Sequence, residues 1–284
     1  RRAWRRGLAA LDPALRRALE RAAGNLRAAH DAFRPRAQSF TTADGVVIVR
    51  RPDPLDRVGV YAPGGRATYP SSLLMGVVPA KVAGVREVVV CSPPSRDGRP
   101  APVLLAAAEI AGADRVFAVG GAGAIAAMAW GTSSVPRVDR IVGPGNAYVA
   151  EAKLQASGVT AIDAPAGPSE LLVIADDSAD PAVVAREMVA QAEHDPLAAV
   201  VLVCAAAGLA QRVERAIGAM IDAEPRAAIV RAAFAARGGI VTVASVERAL
   251  EFAALYAAEH VLVCCRAASA VAARHASAAQ RLAT

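Results

Sequence analysis

Aromatic residues make up only 4% of this 284-residue chain, and histidine and cysteine occur four times each. So few rings leave little material for the stacking platforms of single-strand nucleic-acid binders. The formal net charge of +6 still invites a nucleic-acid reading. Arginines are spread along the whole chain, however, and only those at positions 1–6 cluster, so a basic surface explains the charge and no nucleic-acid partner is expected. Cys91, Cys204, Cys264 and Cys265 show no CxxC spacing, which argues against a zinc knuckle or a disulfide framework. Three of these positions follow the apolar runs VVV, VLV and VLV, where a thiol acts as a small buried side chain. A reducing, cytoplasmic compartment is therefore expected. Uninterrupted apolar runs are missing too: Gly, Arg or Asp breaks each one before the roughly 20 residues of a membrane span. No apolar stretch follows Arg1–Arg6, so no signal peptide is expected. The chain opens without Met, which implies a processed start or a sequence that begins inside a longer protein.

What is present suits a globular fold, with 55% hydrophobic and 20% charged residues over a length that fits one large domain or two small ones. The first 30 residues are helical in character, and Asp12 can cap a helix with Pro13 at its first position. Short strands are expected over Val46–Val49 and Arg57–Tyr61, the second running into Ala62-Pro63-Gly64-Gly65. A helix follows over Leu73–Val82, broken or kinked at Pro79. Then come a strand over Glu87–Cys91, a helix over Pro102–Ala111, a strand over Val116–Val119 and a helix over Ala122–Trp130. Asp139–Val142, Leu171–Ile174 and Val200–Val203 read as further strands. Apolar strands alternating with helices of about ten residues predict an α/β fold with mostly parallel sheets. They also predict ligands beyond the carboxyl ends of the strands, where the glycine-rich turns lie.

Two of those turns have spacing suited to an anion. Gly121-Ala122-Gly123-Ala124-Ile125-Ala126 satisfies GxGxxA between a strand and a helix, with Asp139 18 residues beyond Gly121. Gly143-Pro144-Gly145-Asn146 ends the next strand. A tight strand-to-helix connection explains either loop equally well. Among polar residues, Gln191 and His194 are three apart on a helix expected from about Pro181 and ended by Pro196, so both can reach one ion such as zinc. Two ligands fall short of a site, and a histidine capping its own helix is the alternative. Glu259 and His260 join a carboxylate to an imidazole at a strand entrance, where the pair can share proton transfer only if it sits in a loop. His30 and His275 lie in Ala- and Arg-rich helical stretches. Asp163, Ser169 and Glu170 flank the Pro165-Ala166-Gly167-Pro168 turn, a candidate recognition loop.

In order, the segments RVGVYAPGG (57–65), YPSS (69–72), VVCSPP (89–94), VGGAGAI (119–125), VDRIVGPGNAYV (138–149), IDAPAGPSELLVIA (162–175), QAEH (191–194) and YAAEHV (256–261) resemble the histidinol dehydrogenase family. The resemblance spans roughly residues 40 to 263. It implies two incomplete dinucleotide-fold-like domains, one of residues 1–60 with 170–284 and an NAD-binding one of residues 61–169. It also implies a homodimer that oxidises L-histidinol through an aldehyde to L-histidine, in two NAD-linked steps. By that likeness Tyr61 and Asn146 contact NAD, Ser169 binds substrate, and Gln191 and His194 ligate zinc and touch substrate. Glu259 and His260 would be the acid–base pair, with His260 also against the substrate. The family has a glutamine touching NAD where this chain has Gly123, so the GxGxxA match then reads as an accident of that substitution. Loss of a buried contact there would weaken NAD by about 1–3 kcal/mol. Ala258 stands where the family has a proline, which loosens the turn before Glu259. The family's further zinc ligands have no counterpart among Cys264-Cys265-Arg266 and the Ala-rich tail, and about sixty residues are missing upstream of Tyr61. A truncated sequence, a frame disruption or a degenerate paralogue would each explain this. Relatives that oxidise other zinc-bound diols, such as sulfopropanediol, share much of the framework, and a non-catalytic paralogue or fragment is the third reading.

Overall fold

The computed structural model describes residues 2–64, 68–165 and 169–282, except for the side chains of residues 2, 3 and 277–282. The chain divides into two units, Arg1–Gly167 and Pro168–Thr284.

The first unit opens with α1 (Arg2–Ala9) and α2 (Pro13–Ala32). Asp12 caps α2 as its sequence predicts, its carboxylate accepting from the amides of Ala14 and Leu15. The antiparallel hairpin β1 (Gln38–Thr41) and β2 (Val47–Arg50) follows, and both strands are exposed throughout. The strand expected at Val46–Val49 is thus β2, shifted by one residue. Its partner went unread because Gln38-Ser39-Phe40-Thr41 lacks an apolar alternation. Then come β3 (Arg57–Tyr61), α3 (Pro70–Val82), β4 (Glu87–Ser92), α4 (Pro102–Ala111), β5 (Arg115–Ala118), α5 (Gly121–Trp130), β6 (Arg140–Val142), α6 (Ala147–Ala156) and β7 (Ala161–Ile162). Helix α3 continues through Pro79, which lacks only the N–H that would bond one turn back.

Strands β3 to β7 form one parallel sheet in the order β5-β4-β3-β6-β7. Side chains alternate between its faces, which gives two cores. Val58, Val60, Val88 and Val90 pack with residues of α2, α3 and α4. Tyr61, Val89, Cys91 and Ile141 pack with Ala124, Ile125 and Met128 of α5 and Val149 of α6. Each fully buried Val, Leu or Ile contributes about 1.5–3 kcal/mol of hydrophobic stabilisation.

Placing residues 1–60 with residues 170–284 does not hold. Strand β3 is hydrogen-bonded between β4 and β6, α1 packs on α4, and α2 packs on α3. Trp4, Leu19 and Ala23 bury in the same core as Val58 and Val60. The opening helices pack on α3 and α4, the helices over one face of the first sheet, and that shared core assigns them to it.

The second unit consists of β8 (Glu170–Ala175), α7 (Pro181–Ala192), β9 (Ala199–Cys204), α8 (Leu209–Ile221), α9 (Ala227–Arg237), β10 (Gly238–Thr242), α10 (Val246–Tyr256), β11 (His260–Cys264) and α11 (Ala268–Leu282). Its sheet is parallel in the order β10-β9-β8-β11. Leu171, Val173, Val200 and Leu202 face α7, α8 and α9, while Leu172, Ile174, Val201 and Val203 pack with Ala249, Leu250 and Ala253 of α10 and Val271 of α11. Each unit is therefore a helix–sheet–helix sandwich whose strand order reverses beside its first strand, at β3/β6 and at β8/β11.

Candidate functional site

In the first unit, the carboxyl ends of β3 and β6 meet at the reversal, the position where open α/β sheets form a ligand crevice. Tyr61 closes β3, is buried, and its hydroxyl accepts a hydrogen bond from the Gly121 amide at 3.1 Å. That bond ties β3 to the first residue of α5. Gly121 adopts φ +64, and a Cβ on Gly120 would lie 2.4 Å from Pro93 Cγ, so these two positions need glycine. Gly123 lies two residues beyond Gly121, exposed, with open space where a side chain would begin. Strand-turn-helix is thus what the GxGxxA segment forms, with Gly123 free to carry a larger residue.

After β6, Gly143 adopts φ +114, and a Cβ there would sit 2.2 Å from the Tyr61 carbonyl oxygen. Asn146 begins α6, its Oδ1 accepting from the Val149 amide at 3.1 Å. Two further polar residues escaped the sequence reading. Ser92, the last residue of β4, is fully buried, and its hydroxyl has no hydrogen-bond partner among the described residues. Lys153 on α6 is also fully buried; its ammonium donates to the Gly143 carbonyl at 3.0 Å and pairs with Asp163. The Pro165-Ala166-Gly167-Pro168 turn falls largely outside the described residues, as do Gly65, Arg66 and Ala67 after Gly64.

In the second unit, all the polar candidates lie at the amino ends of the strands, opposite to the end that the general rule favours. Ser169 directly precedes β8, and its carbonyl accepts from the Ala199 amide at the start of β9. Helix α7 runs back along the sheet and ends at Ala192, earlier than the expected stop at Pro196. Gln191 is therefore in its last turn, and His194 lies in the turn beyond, its amide donating to the Gln191 carbonyl at 3.2 Å. His194 is exposed, whereas the Gln191 amide nitrogen is buried without a partner among the described residues. His260 is the first residue of β11, in register with Leu171, and Glu259 occupies the bend before it. His260 Nε2 and Glu259 Oε1 are 3.8 Å apart, and both side chains are more than half exposed. The loop expected for the pair thus holds Glu259 alone, His260 being already in β11, and the two side chains still approach each other. Adjacent strands are roughly 4.8 Å apart, so the entrances of β9, β8 and β11 form one short row. Among the described residues no group of three or more His, Cys, Asp or Glu side chains gathers at a point that would hold a metal.

Parallel sheets wound this way, with helices on both faces, define a doubly wound α/β protein. A profile of the histidinol dehydrogenase family matches residues 1–280, and the chain belongs to that family, whose members are oxidoreductases. The chain is 49% identical over 241 residues to the histidinol dehydrogenase of Methanosarcina mazei, covering 84% of this chain and 55% of that one. With the histidinol dehydrogenase of Bordetella parapertussis it shares 48% over 258 residues, covering 91% and 58%. The crystal structure of histidinol dehydrogenase from Elizabethkingia anophelis superposes with a TM-score of 0.87 at 35% identity, over 92% of this chain and 60% of that one. The chain thus spans between half and two thirds of the length of these relatives.

Proposed function

We propose that the chain serves the NAD-linked oxidation of L-histidinol through the aldehyde to L-histidine. The observation that carries this is the Glu259–His260 pair at the entrance of β11, an imidazole and a carboxylate 3.8 Å apart and open to a substrate. His260 takes the hydroxyl proton in the first oxidation, Glu259 takes a proton from the water that adds to the aldehyde, and His260 takes the proton of the resulting diol in the second. Ser169 and the buried Gln191 amide, at the same row of strand entrances, are the groups that bind and orient the substrate. NAD, when bound, accepts one hydride in each oxidation.

The first unit's crevice fits a dinucleotide. It presents an unpaired buried hydroxyl at Ser92 and glycines at each turn, and Tyr61, the first turn of α5 and Asn146 stand around it. Zinc is a different matter. Gln191 and His194 would be its ligands, but two donors do not satisfy a zinc ion, and no step is routed through one. A cytoplasmic homodimer belongs to the same reading; the apolar residues exposed on the β1–β2 hairpin, Phe40, Val47, Ile48 and Val49, supply surface for self-association. No described helix is long and apolar enough to cross a membrane.

The test is NADH formation by the purified chain with L-histidinol, NAD and added zinc, beside His260→Ala. We expect turnover to fall by at least 100-fold in the variant. Turnover retained in His260→Ala, or a wild-type chain active on a sulfonated diol and not on histidinol, would sink the reading.

A further inference from the structure

The pair formed by Lys153 and Asp163 has no part in the proton transfers above, yet its lysine is the most buried charged side chain among the described residues. Lys153 has no exposed surface, while the Asp163 side chain is 36% exposed. Burying an ammonium costs several kcal/mol unless its partners are well placed, and an apolar side chain would pack α6 at least as well. The placement of the partners is the informative part. Asp163 Oδ2 accepts from the Gly143 amide at 2.8 Å, and Lys153 Nζ donates to the Gly143 carbonyl at 3.0 Å. Both backbone groups of one glycine are thus held by one ion pair, immediately after β6 ends. Asp163 is itself fixed, because its own amide donates to the Ile141 carbonyl at 3.1 Å.

The turn is confined on its other sides as well. Gly143 abuts the Tyr61 carbonyl, and a Cβ on Gly145 would lie 2.3 Å from Val149 Cγ1. Asn146 follows, and because its Oδ1 is taken by the Val149 amide, its Nδ2 is the group left to meet a ligand. One continuous set of contacts therefore runs from Lys153 and Asp163 through Gly143 to Tyr61 and on to the Gly121 amide.

We propose that Lys153 and Asp163 are positioning residues for the dinucleotide: they fix the Gly143–Asn146 turn so that Asn146 and Tyr61 stand ready in one crevice. This rests on the NAD reading of the first unit. Neither side chain touches the cofactor; the pair acts through the backbone of Gly143.

The experiment is NAD titration by calorimetry on the full chain, with amide hydrogen exchange over residues 143–149. Lys153→Met is expected to raise the NAD dissociation constant at least tenfold and to speed exchange at Gly143 and Val149. Lys153→Arg, which keeps the cation, should recover part of the affinity. Leu104→Ala, a core truncation elsewhere in the same unit, should lower the melting temperature yet leave NAD binding within twofold. Should Lys153→Met not fold, Asp163→Asn takes its place, with at least a threefold loss expected. NAD binding unchanged in the folded variant, or weakened as much by Leu104→Ala, overturns the assignment alone. A wild-type chain that does not bind NAD overturns the proposed function, and this assignment with it.

Discussion

In the first unit the strands run out into glycine: Gly64 after β3, Gly120 and Gly121 after β5, Gly143 and Gly145 after β6. In the second, the matching ends run into Asp176-Asp177-Ser178 after β8, three alanines after β9, and Cys265-Arg266 after β11. The strand order reverses in the same way in both. In the second unit, however, the crevice is filled by the chain's own hydrogen bonds. Asp176 accepts from the Arg266 amide at 3.0 Å and from Ser178, and Cys265 donates to the Ile174 carbonyl. Burial works to raise the Asp176 pKa, but the hydrogen bonds from Ser178 and Arg266 together outweigh it and hold the carboxyl below its ordinary value. Topology thus offers a ligand site at every reversal, and the residues decide whether it stays open. The second unit moved its open polar groups to the opposite edge of the sheet, where Ser169, Gln191, His194, Glu259 and His260 lie.

Glycine substitutions test this contrast most severely. Gly143→Ala drives a Cβ into the Tyr61 carbonyl at a φ that disfavours any side chain, and we expect it to cost about 3 kcal/mol or more in urea unfolding. Gly239→Ala in β10 of the second unit meets nothing within 4 Å and should stay within about 1 kcal/mol of wild type. Equal effects would show that the Gly143 turn is held no more tightly than an open strand position in the second unit. A smaller effect is expected at Gly123, where open space admits a side chain. Restoring the family's glutamine with Gly123→Gln should tighten NAD about fivefold or more in calorimetry, while binding that weakens would place the cofactor away from α5. The smallest effect concerns Ala257, the single described non-glycine residue with positive φ, at +53. It caps α10 two residues before Glu259. Ala257→Gly relieves that strain and should raise stability by about 0.5–1 kcal/mol, read as a higher melting temperature. A lower one would mean that the turn ahead of Glu259 gains more from a restricted backbone than it loses to strain.

The strands with near-continuous apolar runs, β4, β8 and β9, were legible because strands buried on both faces need no alternation. Strands β1, β7 and β10 were not: Ala161-Ile162 is too short to show a period, and Gly238-Gly239 masks the start of β10. The Glu259–His260 pair, proposed above for proton transfer, stood out in the sequence as two adjacent residue types, and the structure adds the bend at Glu259 and the 3.8 Å separation. Lys153 stayed hidden because a lysine on an Ala-rich helix reads as solvated. The signal was there: Val149, Lys153 and Ala156 fall three and four apart on the buried face of α6, so the lysine interrupts an apolar stripe. Gln191 and His194 come to the amino ends of the strands because α7 is the crossover between the parallel β8 and β9, and α7 stops at Ala192, before the proline that was expected to end it.

The sulfur atoms carry a practical consequence. Burial pushes the Cys91 thiol up to about 12 and that of Cys265 to about 11, and it raises Cys264 as well, with Glu187 adding to the effect. At neutral pH a thiol with a pKa near 11 is ionised in roughly one molecule in ten thousand, and the thiolate is the form that alkylates. These three native thiols will therefore react slowly with maleimides. The fourth, Cys204, is fully buried, so a cysteine introduced on the exposed hairpin would take a fluorophore or spin label ahead of all four.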